Sequence, residues 1–257
     1  MSATGEFVRL PADWAAAPDA LSGRIVLITG ASGGLGRAAA LAAAKAGATL
    51  VLLGRKVRAM EKVYDEIVAL GAAKPAIFPL DLAGATPRDY ADMADAIERE
   101  CGRLDGIVHA AAHFDGLQPA ADIKPEEWMR ALHVNLSAPF LLTQACLPLL
   151  RQSSDASVVF VLDEPSRMGK AFWGGYGVAK HALAGLVSIL HEELENGPVR
   201  VHALLPAPMR TALRRAAYYG ENTLALPPPD AAAVIYLLSA EGTPARGRIL
   251  DLRARSH

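Results

Sequence analysis

The sequence predicts an α/β fold: one doubly wound, seven-stranded, mostly parallel sheet with helices on both faces. Three observations carry that expectation. Short apolar runs alternate with longer amphipathic segments about six times from Arg24 onward. The runs are continuously apolar, as strands covered on both faces are, rather than alternating. Nothing between them reads as a linker, a repeat or a low-complexity tract, so one domain is expected over 23–257, after a loose lead-in over 1–22.

In chain order, the lead-in carries Pro11, Pro18 and scattered charges. Strands are expected over 25–29, 49–53, 76–80, 106–109, 157–162, 199–205 and 248–251. Helices are expected over 35–46, 57–70, 87–101, 126–150, 173–195 and 230–239. Gly47 and Gly71 fall just past two helix ends and Pro125 near a helix start, all boundary signals. Strand–helix–strand repetition implies right-handed crossovers onto one sheet. The segment 211–229 is the least regular, with Tyr218, Tyr219, Gly220 and Pro227 to Pro229. It reads equally as a substrate lid and as a surface connection.

Composition narrows the function. Of 257 residues, 52% are hydrophobic, ample for a core. Lys+Arg number 26 and Asp+Glu 27, a net charge of -1, with no basic run to bind nucleic acid or an anionic membrane. No stretch approaches ~18 uninterrupted apolar residues, and the first twenty residues lack the apolar centre of a secretory signal. A cytoplasmic setting is expected. Cys101 and Cys146 alone make neither a disulfide framework nor a Cys-rich zinc site. The scattered histidines show no metal spacing, so no metal is expected.

The first strand runs into Thr29-Gly30-Ala31-Ser32-Gly33-Gly34-Leu35-Gly36, and a helix follows. A turn without bulky side chains lets the backbone approach a pyrophosphate, and the helix start offers unpaired N–H groups and a positive dipole end. Gly30, Ser32, Gly34, Leu35 and Gly36 are therefore cofactor-site candidates. The second strand ends Leu53-Gly54-Arg55-Lys56. A carboxylate there would suit ribose hydroxyls; Arg55 suits a 2′-phosphate, which predicts NADP(H). Asp81 and Leu82, after the third strand, sit where an adenine edge is met, although a turn or helix cap accounts for Asp81 equally well. Tyr176 and Lys180, four apart on one helix face, point into the same space. An ammonium beside a phenol lowers its pKa, and such a phenol can give a proton to a carbonyl oxygen as hydride reaches the carbon.

Thr29 to Gly36, Asn135, and Tyr176 with Lys180 together resemble the short-chain dehydrogenase/reductase family, over about residues 22–252. The runs 171–176 and 141–150 further resemble its YciK-like branch. The resemblance implies a single-domain Rossmann fold and NADP(H)-linked carbonyl/alcohol interconversion, with an acyl thioester among the candidate small-molecule substrates. It makes Tyr176 the proton donor/acceptor and gives Lys180 the nicotinamide ribose. It has Asn135 bend its helix and hold a proton-relay water. It places Ala111 and Thr211 against the cofactor. It also implies a homodimer or homotetramer through the long helices.

Two departures stand out. The usual Asn-Asn-Ala-Gly after the fourth strand reads His109-Ala110-Ala111-Ala112. The usual catalytic serine, thirteen residues before the tyrosine, is Asp163. An ionised carboxylate only accepts hydrogen bonds, and losing one donor to a developing oxyanion typically costs ~10²–10³ in rate. Three readings stay open: a protonated Asp163 that donates, Ser166 standing in for the hydroxyl, or a dinucleotide-binding sensor or regulatory protein with lost or weak turnover.

Overall fold

The computed structural model describes residues 6–253 apart from 219, 222 and 223. Among them, eight strands form one sheet: β1 (Phe7–Val8), β2 (Ile25–Thr29), β3 (Thr49–Gly54), β4 (Ala76–Pro79), β5 (Gly106–His109), β6 (Ala156–Val161), β7 (Val199–Leu205) and β8 (Ile249–Asp251). Every pairing is parallel, in the order β1-β8-β7-β6-β5-β2-β3-β4. The helices are α1 (Gly34–Lys45), α2 (Val57–Ala69), α3 (Pro87–Cys101), α4 (Pro125–Leu132), α5 (Ala138–Arg151), α6 (Pro165–Met168), α7 (Gly174–Leu194), α8 (Ala212–Ala217) and α9 (Pro228–Leu238).

The continuous apolar strands are explained by their two covers. Successive side chains of a strand point to opposite faces. In β2, Val26 and Ile28 therefore join the core under α1, α2 and α9, while Leu27 joins the core under α3, α5 and α7. Ala39, Ala40, Ala43 and Ala44 give α1 a small-residue face, which lets it lie close to α9. The strand order reverses beside β2: β3 pairs on one side of it and β5 on the other. Thr29 stands level with both Leu53 and His109. Loops leaving these ends diverge and open a crevice at the carboxyl edge of the sheet.

The sheet differs from expectation in one respect. It has eight strands, because the segment read as a loose lead-in supplies β1. Phe7 and Val8 pair with Ile249 and Leu250, and Arg9 meets Asp251 at 3.3 Å. Further along, Trp14 packs edge-on to Tyr236 with centroids 5.3 Å apart. Leu21 is fully buried, and its N–H donates to the Ala46 carbonyl at 2.8 Å. The long helix expected over 126–150 is two helices joined by a π-helical turn, His133–Ser137.

Candidate active site

The glycine-rich turn is shaped by what lies behind it. Gly30 has φ +66, and a Cβ there would stand 2.8 Å from the Ala111 Cα. Thr29 Oγ1 accepts from the Ala111 N–H at 3.1 Å and so ties the end of β2 to the chain leaving β5. Ala110 to Ala112 are small enough to allow that approach. A Cβ on Gly36 would stand 2.4 Å from the Gly30 carbonyl; Gly36 packs the back of the turn and does not face the cleft. Gly33 caps α1 with no side chain, and no acidic residue occupies its first turn. The helix start thus keeps its positive end open for an anion.

The turn forms the floor of an open cleft of about 420 Å³. At one end stand Ser32, Arg55, Asp81 and Leu82, joined by Lys56. Arg55 and Lys56 are both exposed and carry no ion pair among the described residues. Asp81 Oδ1 accepts from the Ala83 N–H at 3.1 Å, as in a local turn. Along the floor lie Gly30, Gly34, Leu35 and Ala111. Thr211 lines the cleft opposite Gly34 and caps α8, its Oγ1 accepting from the Arg214 N–H at 3.1 Å. These surfaces fit a nicotinamide dinucleotide phosphate: bare backbone at the centre, free cations at one end. Among the described residues, no cluster of three or more His, Cys, Asp or Glu could hold a metal ion.

Tyr176, Lys180 and Asp163 meet at the other end. One face of α7's first turns is buried there, with Val178 left outside, because Gly175 and Gly177 let the helix approach closely: a Cβ on Gly177 would stand 2.4 Å from the Met168 carbonyl. Tyr176 Oη donates to Asp163 Oδ2 at 2.9 Å. Lys180 Nζ donates to the Val161 carbonyl at 2.7 Å and stands 5.7 Å from the centre of the Tyr176 ring. Burial lowers the Lys180 pKa to about 8, against the attraction of Asp163. The phenol shifts in the opposite sense from the one expected. Burial first, then the charge and hydrogen bond of Asp163, push Tyr176 well above its ordinary value. In this arrangement burial and the carboxylate outweigh the Arg167 guanidinium, the cation that pulls the other way.

Asp163 acts only as an acceptor. Oδ1 takes the Glu164 N–H at 2.7 Å and Arg167 Nη2 at 3.3 Å, while Oδ2 takes Tyr176. Ser166 donates to Glu164 Oε1 at 2.9 Å and is not on the cleft wall; of the three open readings, the one in which it stands in for the missing hydroxyl has no contact here to support it. Asn135 lies in the π-helical turn, fully enclosed. Its Nδ2 donates to the Ala131 and His113 carbonyls, each at 2.8 Å, and its Oδ1 accepts from the His113 N–H at 3.0 Å. It thus clamps the chain leaving β5. His109 stacks on Phe160 with centroids 4.7 Å apart, and its Nε2 meets Thr143 Oγ1 at 2.8 Å. Burial and Lys180 lower its pKa to about 3, so the ring is neutral.

The mouth is aromatic and cationic. Phe114 stacks on Trp173 at 5.2 Å, and Trp173 tilts against Tyr176 at 5.9 Å and Tyr218 at 6.1 Å. Arg214 lies 4.7 Å above the Tyr218 ring and is gripped by Glu221 at 2.6 and 2.7 Å. Tyr219, also named in the candidate lid, lies outside the described residues.

A family model for short chain dehydrogenase matches residues 24–222. The chain is 37% identical over 219 residues to YciK of Escherichia coli K12, an uncharacterized oxidoreductase, covering 85% of this chain and 86% of that one. The chain belongs to the short-chain dehydrogenase family. Solved structures of this family lie close to it. A protein from Pseudomonas syringae assigned as a short chain dehydrogenase superposes with a TM-score of 0.89 at 40% identity, covering 93% of this chain and 98% of that one. Another, from Escherichia coli CFT073 and complexed with NADPH, gives 0.87 at 35% identity, covering 91% and 98%. As a short-chain dehydrogenase, the protein keeps the turn, the tyrosine and the lysine on one cleft. Arg167, Lys56, Leu213 and Arg214 also line it and escaped the sequence reading. Adjacency to Arg55 was a signal for Lys56. The other three stand on α6 and α8, helices too short for a period to say which way a side chain faces.

Proposed function

We propose that this short-chain dehydrogenase is an NADP(H)-dependent oxidoreductase that moves a hydride between nicotinamide and a carbonyl-type carbon, with Tyr176 as the proton group. The observation that carries the reading is the meeting of Tyr176, Lys180 and the bare Gly30–Leu35 floor on one cleft. The bound nicotinamide supplies or accepts the hydride. Gly30, Ser32, Gly34 and Leu35 hold the diphosphate on backbone N–H groups. Arg55, with Lys56, takes the 2′-phosphate, and the NADPH-bound relative supports that choice. Asp81 and Leu82 border the adenine, Ala111 and Thr211 the nicotinamide half, and Lys180 its ribose. Asn135 fixes the wall behind them. Tyr176 stays protonated across the ordinary pH range, because burial and Asp163 raise its pKa. It enters the reaction as the protonated form, the one that the reductive direction needs.

The same hydrogen bond supports a second reading, binding without turnover, since a phenol held by a carboxylate gives its proton up reluctantly. One set of measurements separates the two. NADPH should bind at least tenfold more tightly than NADH, and Arg55→Ala should erase the difference. NADPH absorbance should fall with a member of a panel of ketones, quinones and oxoacyl thioesters, and Tyr176→Phe should cut that rate at least a hundredfold while leaving NADPH affinity within threefold. Tighter NADH binding sinks the cofactor choice. Tight NADPH binding with no turnover by the wild type selects the second reading.

Assembly and setting belong to the same proposal. Phe140, Val178 and Ile189 stand exposed on α5 and α7, apolar surface suited to a homodimer or homotetramer. Among the described residues no helix is long and apolar enough to cross a membrane. Cys101 and Cys146 are free thiols, compatible with cytoplasm.

A further inference from the structure

Where the family pattern has a hydroxyl donor, Asp163 offers acceptors. An ionised carboxylate has about four lone-pair sites. Two on Oδ1 are taken by the Glu164 N–H and Arg167, and one on Oδ2 by Tyr176. The fourth remains on Oδ2, beside the Tyr176 hydroxyl, on a side chain that lines the cleft and is about one-fifth exposed. A carbonyl oxygen has no hydrogen to give to that position, and it gains negative charge as hydride arrives. An alcohol can donate to it, but the alkoxide character that grows during oxidation is repelled. A protonated imine differs from both. It carries an N–H throughout the reaction, and its positive charge is greatest before hydride transfer.

We propose that the substrate of this site is a C=N compound, bound as an iminium ion whose N–H donates to Asp163 Oδ2 and reduced there to an amine. The inference rests on the hydride-transfer reading above, narrows its carbonyl-type carbon to C=N, and makes Tyr176 the group that positions Asp163 in place of the one that gives the proton. An opposite charge at hydrogen-bond distance favours the protonated, electrophilic form of an imine. The neighbouring charges leave this role to Asp163. Lys180 is committed to the Val161 carbonyl, Arg167 is shared between Asp163 and Glu164, and Glu164 also meets Arg253 at 3.2 Å. Tyr176, donating to the same Oδ2, holds the carboxylate toward the cleft. Trp173 adds an aromatic wall near Tyr176, and aromatic faces attract planar cations.

The step balances. The iminium carbon accepts one hydride from a reduced nicotinamide dinucleotide, which is oxidised. The π pair of C=N becomes the nitrogen lone pair. The proton on nitrogen enters with the substrate and stays, so imine, proton and reduced dinucleotide give amine and oxidised dinucleotide.

The test pairs 3,4-dihydroisoquinoline with 1-tetralone, a ketone of similar shape, and reads kcat/KM for NADPH oxidation. The wild type should favour the imine at least a hundredfold. Asp163→Ser should shift the ratio at least a hundredfold toward the ketone, and Asp163→Asn, nearly isosteric, should lose the imine without gaining the ketone. Binding gives a readout free of turnover. The protonated amine 1,2,3,4-tetrahydroisoquinoline, titrated calorimetrically into the protein without cofactor at pH 7, should bind at least tenfold more weakly to both variants than to the wild type. A wild type that prefers the ketone, or turns over neither compound while binding NADPH, overturns the proposal. So does an imine preference that survives both substitutions, or amine affinity unchanged by them. Failure to bind NADPH at all would instead strike the hydride-transfer reading.

Discussion

Lys180 is 5% exposed, and its one hydrogen bond goes to a backbone carbonyl. Its pKa of about 8 lies below the ordinary 10.5. The fold therefore carries the full penalty of a buried charge below pH 8, and the penalty lifts as pH rises from 8 to 10.5. Lys180→Met should raise unfolding stability at pH 7 by about 2 kcal/mol, lose that advantage by pH 10.5, and abolish turnover. Chemical denaturation at both pH values checks this; a destabilised variant at pH 7 would mean that the ammonium is needed for packing. The same residue marks the limit of sequence reading. The spacing of Tyr176 and Lys180 put both on one face, and both line the cleft. The sign of the phenol shift was hidden, because it depends on where a carbonyl of β6 intercepts the ammonium and where Asp163 turns its second oxygen.

At the scale of elements, the turn after β2 was legible because glycine spacing encodes backbone clearance directly. Gly30→Ala places a methyl group 2.8 Å from the Ala111 Cα at φ +66. It should cost about 1–3 kcal/mol and weaken NADPH binding at least tenfold, read by thermal melts and titration. Wild-type affinity in that variant would mean that β5 can retreat from the turn. The π-helical turn at His133–Ser137 was not legible as such. Asn135 drew notice through resemblance, yet what it holds is the backbone of His113, twenty-two residues away in sequence. Hydrogen-bond partners at that separation leave no periodic trace. Strand β1 escaped for a related reason: two residues are too few to display a pattern, and only β8 makes them a strand.

For the whole molecule, two enclosed imidazoles set the acid limit. Burial, with the Lys180 charge for His109 and the Arg200 charge for His202, lowers both pKa values from 6.5 to about 3. Stability from these groups is complete above pH 6.5 and is lost as pH falls toward 3, because the unfolded chain takes protons that the fold refuses. Between pH 7 and pH 5 each should remove about 2 kcal/mol. His109→Gln and His202→Gln, combined, should flatten that slope in denaturant titrations at the two pH values. An unchanged slope would show that water reaches the rings.

The pairing of β1 with β8 has a kinetic consequence. Arg9 contacts Asp251 across 242 residues of sequence, so the sheet's outer border joins two strands that are far apart along the chain. Translation delivers β2 through β7 before β8, and they can assemble while that border stays open. Refolding should then end in a slow phase that Arg9→Ala and Asp251→Asn alter and core substitutions in β2 do not, since closing so large a loop comes after everything else has docked.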